Sequence, residues 1–174
     1  MKKLILISAL LFSFNGWAYN ETDLEKLKKT NACVGCDLSG ANLSDTYLFD
    51  ANLYAADLSG ADLSDTNLEF ANLVNANLSD TDLFDANLIN ANLINADLSG
   101  ANLRSADLRY ADLDDANFND ANLMNADLTG ADLRGANLRG INLTLTILKD
   151  AKLDGTKFCK TQMPWGEVND DCEE

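Results

Sequence analysis

Four cysteines and 28 acidic residues are what this 174-residue chain offers for chemistry, and no histidine stands beside them. Cys33-Val34-Gly35-Cys36 has the C-x-x-C spacing of a dithiol redox centre, of half a zinc site or of a short disulfide loop, and Cys159 and Cys172 form a second pair. Asp45, Asp65 and Asp85 recur twenty residues apart. Carboxylates held close together attract a hard cation such as Ca²⁺, or divide into a general acid and a general base. Without histidine the commonest general base is missing, and no glycine-rich nucleotide loop is present. What the remaining groups do depends on how the chain places them.

The placement follows from one repeat. From Cys36 to Lys160 the chain divides into twenty-five consecutive pentads without insertion or deletion, each centred on Leu or, at Phe118 and Phe158, on Phe. Two residues before the centre the side chain is small, mostly alanine as at Ala41, Ala51, Ala61 and Ala101, with Ile141 the large exception. Between the two stands Asp or Asn, except at Tyr47, Ile147, Lys152 and Lys157. In a helix turning by about 100° per residue, centres five apart would wander around the cylinder. In a flat strand every second centre would face water. The chain must therefore turn within each pentad: three residues alternate in, out and in as a strand does, and two bend. Ser39-Gly40, Ser44-Asp45, Ser59-Gly60 and Ser99-Gly100 suit that bend. The result is a β-helix with leucine inside.

The tandem motif A-[DN]-L-x-x, seen at Ala101-Asn102-Leu103 and Ala131-Asp132-Leu133, resembles the pentapeptide-repeat proteins. That resemblance implies an all-β, right-handed quadrilateral β-helix of about six coils, roughly 30 Å tall at the strand spacing, with spatial neighbours twenty residues apart. The domains expected are a signal peptide at 1–18, an N-terminal cap at 19–35, the β-helix at 36–160 and a C-terminal cap or tail at 161–174. Thr22 and Glu25 have the spacing of a capping box, predicting a short helix from Thr22 to Lys29 over the first coil. The tail from Phe158-Cys159-Lys160-Thr161 through Met163-Pro164 to Cys172 also resembles terminal segments of exported members. A C-x-x-C redox motif wants a βαβ setting that is missing here. The two cysteine pairs fall at opposite ends of the stack, whereas a disulfide needs Cα atoms within about 7 Å. Local disulfides Cys33 with Cys36 and Cys159 with Cys172 follow, and no metal or cofactor is expected.

Lys2 and Lys3, the apolar run Leu4 to Phe14 and the small residues Gly16 and Ala18 make a signal peptide, with the mature chain starting near Tyr19. The run is too short to span a bilayer, so no stable membrane insertion is expected after cleavage. The expected location is periplasmic or extracellular, where cysteines pair. The exported chain keeps 11 basic against 28 acidic residues, a balance that repels nucleic acid. No Lys or Arg occurs from Thr30 to Leu103, where eleven acids lie; Arg104 to Lys160 holds eight basic and nine acidic residues. Twenty-residue stacking puts Asp45, Asp65 and Asp85 in one column. It puts Tyr54, Val74 and Ile94 in another, with Phe49, Ile89, Phe70 and Tyr110 on the adjacent face. Contiguous exposed apolar surface marks a contact site.

These features predict a non-enzymatic, exported scaffold or protein-interaction module of the cell envelope, binding a protein partner or itself. Two alternatives carry less of the sequence. One is the DNA-mimicking protector of DNA gyrase known among cytoplasmic members, which the signal peptide opposes. The other is an acidic solenoid that binds Ca²⁺ along its aspartate columns.

Overall fold

The computed structural model describes residues 19–169 and Cys172. The expected signal peptide, residues 1–18, lies outside them, as do residues 170, 171, 173 and 174. Numbering each pentad from its small residue, alanine is position 1, Asp or Asn position 2, leucine position 3, and the bend positions 4 and 5.

Each pentad turns one corner. The N–H at position 1 donates to the carbonyl of the preceding leucine, as from Ala41 to Leu38 at 3.0 Å and from Ala61 to Leu58 at 2.9 Å. The β-turn so closed needs positive φ at its third residue, position 5, where φ is 67° at Gly40 and 56° at Asp45. Gly, Asn and Asp recur there because they enter the left-handed region at least cost. Among the described pentads, position 5 has positive φ from Gly35 to Lys160 with one exception, Leu145.

Position 2 completes the corner. Its side-chain oxygen accepts the N–H of position 4, at 3.0 Å from Ser59 to Asp57 and at 3.2 Å from Ile94 to Asn92. This supplies an acceptor for an amide outside the coil-to-coil ladder. Asparagine also donates to the acid one coil below, Asn77 to Asp57 at 3.0 Å and Asn102 to Asp82 at 2.8 Å, which relieves stacked carboxylates.

Position 2 also carries the ladder. Parallel bridges join residues twenty apart, from Ala32↔Asn52 to Asn142↔Gln162. Each is flanked by main-chain bonds such as Leu38 N–H to Asp57 O at 2.7 Å and Asp57 N–H to Cys36 O at 2.8 Å. They stay isolated bridges because a bend interrupts the chain after every three extended residues. Inside, Leu38, Leu58, Leu78, Leu98, Phe118 and Leu138 stack in one buried ladder, with the position 1 alanines filling the corners. Burying one leucine contributes about 1.5–3 kcal/mol. Where threonine replaces alanine above the first coil, its hydroxyl donates to a leucine carbonyl of the coil below: Thr66 to Leu43 at 2.8 Å, Thr81 to Leu58 at 3.0 Å, Thr156 to Leu133 at 2.7 Å.

The ends depart from the motif. The helix α1 (Glu21–Thr30) starts one residue before the expected capping box. Its N-cap is Asn20, whose side chain accepts the N–H of Thr22 at 3.0 Å, while Glu25 pairs with Lys29 at 2.8 Å. The start is set by the coil: Asn20 N–H donates to Asp37 O at 3.0 Å, and Asp23 accepts the N–H of Asp37 at 3.1 Å. Leu27 is buried against the core. Cys33 and Met163 occupy leucine positions at the two ends of the ladder, both buried. At the C-terminal end β1 (Thr161–Met163), which includes Met163, pairs antiparallel with β2 (Gly166–Val168). Disulfides join Cys33 to Cys36 and Cys159 to Cys172, with Cα separations of 5.3 and 4.9 Å.

Candidate interaction surface

Among the described residues one group of three potential metal ligands, Asp23, Cys33 and Cys36, gathers within 4.8 Å. Its sulfurs are bonded to each other, so they offer no thiolate to a metal. Asp45, Asp65 and Asp85 are exposed corner residues at position 5 and form no such group. Many position 2 acids are engaged by the corner they close, as Asp57, Asp62 and Asp97 are by the amides of Ser59, Ser64 and Ser99.

Basic side chains of the C-terminal half sit on stacked aspartates. Arg109 pairs with Asp107 at 2.6 Å, and Arg134 and Lys152 converge on Asp132 at 2.7 and 2.9 Å. The Arg134 guanidinium holds the Asp132 carboxyl well below the usual carboxylate range; burial opposes this, and the Lys152 ammonium adds to it.

The apolar residues divide by corner position. At position 4, Phe49, Val74, Ile89 and Ile94 are half-buried. At position 5 the side chain points away from the coil: Phe70 is 47% exposed and Tyr110 61%. Tyr54, at position 4, is also exposed, and its hydroxyl accepts from Asn75 Nδ2 at 3.2 Å. The Phe49 and Phe70 rings meet edge to face with centroids 5.6 Å apart. Tyr47, absent from the expected set, extends this cluster by stacking on Phe49 at 5.9 Å. Its signal was its place among the exceptions at position 2. Tyr54, Val74 and Ile94 form a second ridge, across the Asn52, Asn72 and Asn92 column from the first. Val34, also exposed, stands one coil below Tyr54 in that ridge, and Leu145, Ile147 and Trp165 are exposed toward the other end.

Phe70 and Tyr110 are also unusual in backbone. They hold φ of 60° and 59°, in the region glycine and asparagine favour. A bulky residue there is an outlier costing on the order of 1–2 kcal/mol. The Tyr110 ring lies over Gly130, where an added Cβ would come within 2.7 Å of it.

The sequence profile of pentapeptide repeats (8 copies) matches residues 33–65, 61–100, 81–120 and 121–161. The chain belongs to the pentapeptide-repeat family. Its coil is accordingly a right-handed β-helix. Among solved structures, HetL, a pentapeptide repeat protein involved in heterocyst differentiation regulation in the cyanobacterium Nostoc sp. strain PCC 7120, is 31% identical. That match covers 79% of this chain and 74% of HetL, with a TM-score of 0.40. A pentapeptide repeat protein from the Arabidopsis thaliana thylakoid lumen is 29% identical over 59% of this chain and 65% of its own, with a TM-score of 0.44. QnrB1, a plasmid-mediated fluoroquinolone resistance protein, is 20% identical over 74% of this chain and 80% of its own, at a TM-score of 0.31. A search of the curated proteins finds no match. Among the described residues no helix of this pentapeptide-repeat chain is long and apolar enough to cross a membrane.

Proposed function

We propose that this pentapeptide-repeat protein is a non-enzymatic, exported interaction module that binds a protein partner, or a second copy of itself, through its aromatic corner residues. The observation that carries this is the placing of Phe70 and Tyr110. Each is a large, exposed aromatic side chain on a backbone conformation that disfavours it. Folding alone would put Asn, Asp or Gly at both corners, as it does at most others. Strain kept where it adds nothing to the core points to a use outside the fold. With the Tyr47 and Phe49 rings Phe70 offers apolar area in the stretch from Thr30 to Leu103, where eleven acids and no Lys or Arg lie. A partner with apolar and basic groups suits it best, since aromatic faces and carboxylates both attract cations.

Export rests on the leader sequence and on the two disulfides, which persist in oxidising compartments. Intact-mass measurement of the protein from the envelope or medium is expected to give a chain starting near Tyr19; a full-length chain in the cytosol would remove this part of the proposal. For binding, Phe70→Asn with Tyr110→Asn is expected to abolish self-association in light scattering, or capture of the partner that the wild type retains. Unchanged assembly and unchanged capture by the double variant would sink the assignment of this surface.

A further inference from the structure

One side of the solenoid is open at one step. The bridge Asn102↔Asn122 below and the bridge Asn142↔Gln162 above are both made, but no bridge joins Asn122 to Asn142. The main-chain bonds of that step are absent with it. Leu83 N–H reaches Asn102 O and Leu103 N–H reaches Asn122 O, both at 2.8 Å, whereas Leu123 makes no such bond to Asn142. Ser105 N–H reaches Met124 O at 3.0 Å, and Asn125 has no counterpart at Thr144. A slot of about 150 Å³ fills the gap, lined by Asn122, Met124, Asn142, Thr144 and Leu145. One coil lower on the same side, the buried oxygen of Asn102 lacks a hydrogen bond. The same two coils are paired on the other three sides, at Asn117↔Asn137, Asp127↔Ile147 and Asp112↔Asp132.

The pentad above the gap breaks two rules of the repeat at once. Ile141 brings a branched four-carbon side chain to position 1, where Ala, Thr or Cys stands in every other pentad from Cys36 to Lys160. It is buried, so its volume is accommodated between coils, and Ala121 beneath it rises to 8% exposed where most position 1 alanines are at 1% or less. Leu145 brings to position 5 a residue that resists positive φ, and it alone in that series does not adopt it. Cores cannot absorb three extra carbons without displacement. Upward the pentad stays tied: Leu143 N–H donates to Gln162 O at 2.7 Å and Gln162 N–H to Ile141 O at 2.8 Å.

We infer that Ile141 and Leu145 form a wedge that makes this side a seam, so that the pentad Ile141–Leu145 opens together with β1 while the coils below remain closed. Missing inter-coil bonds and a solvent-sized slot lower the cost of local opening there relative to any other step. Backbone amide hydrogen exchange followed by NMR tests this on the intact disulfide-bonded protein. Leu123 and Asn125 N–H are expected to exchange at least a hundredfold faster than Leu103 and Ser105, their equivalents one coil down. Ile141→Ala is expected to slow Leu123 at least tenfold, and Leu145→Asn, which suits positive φ, to act in the same direction. Protection of Leu123 within threefold of Leu103 in the wild type would overturn the inference, as would Leu123 exchange unchanged in both folded variants. Should one variant fail to fold, the wild-type comparison and the other variant still decide.

Discussion

Asparagine and aspartate at position 2 act at the scale of single hydrogen bonds, closing corners rather than binding ions. Asp57→Ala leaves the Ser59 N–H and hydroxyl without their acceptor and is expected to cost about 1–2 kcal/mol, while Asp57→Asn retains most of that stability, as measured by urea unfolding. Threonine at position 1 is a second local device. Thr81→Val keeps shape but removes the hydroxyl bond to Leu58 O, which still accepts from Ala61 N–H. A loss of about 0.5–1.5 kcal/mol is expected, or a melting temperature lowered by roughly 2–4 °C. Asp132 adds a pH dependence with a definite sign. Its folded pKa is depressed by Arg134 and Lys152, so its contribution is fully present above the ordinary aspartate value of about 4 and is lost as pH falls below that. Asp132→Asn is expected to flatten the acid limb of stability below about pH 4 and to lower stability at neutral pH. An identical acid limb in melts across that range would contradict the pairing.

The elements were legible in the sequence to the extent that their residues obey the repeat. Leucine every five residues dictates an inward ladder, and the structure has it; the resemblance supplied the four sides that place partners twenty apart. Cys33 and Met163 occupy the ladder at its ends without matching the motif, so counting leucines does not find them. The start of α1 depends on Asn20 being held by Asp37 O, a contact between segments that local spacing does not contain. Asn20→Ala is expected to cost about 0.5–2 kcal/mol, and Leu27→Ala about 2–5 kcal/mol because it empties a buried site beside the first coil. The seam was equally hidden. Ile141 is visible as an exception, but only the geometry of the coils above and below turns its extra volume into a lost rung.

For the molecule as a whole, frame and surface are separable. Positions 1, 2 and 3 hold the solenoid together through packing, corner bonds and the ladder, while position 5 is constrained by its positive φ and not by the core. The apolar corner residues were visible in the sequence as columns, yet their exposure was not. Phe49, Val74, Ile89 and Ile94 at position 4 are half-buried, whereas Phe70 and Tyr110 at position 5 stand outward. Tyr47 was missed because position 2 is elsewhere a corner acceptor. The division of labour predicts that aromatic corners can be removed without harm to the frame. Phe70→Asn with Tyr110→Asn relieves two backbone conformations at about 1–2 kcal/mol each and forfeits one edge-to-face contact worth about 0.5–1.5 kcal/mol. The thermal midpoint of this double variant is therefore the most direct test: an unchanged midpoint, or one raised by a few degrees, is predicted. A fall of more than about 5 °C, some 1–3 kcal/mol for a domain of this size, would show that these rings serve the fold and contradict the account.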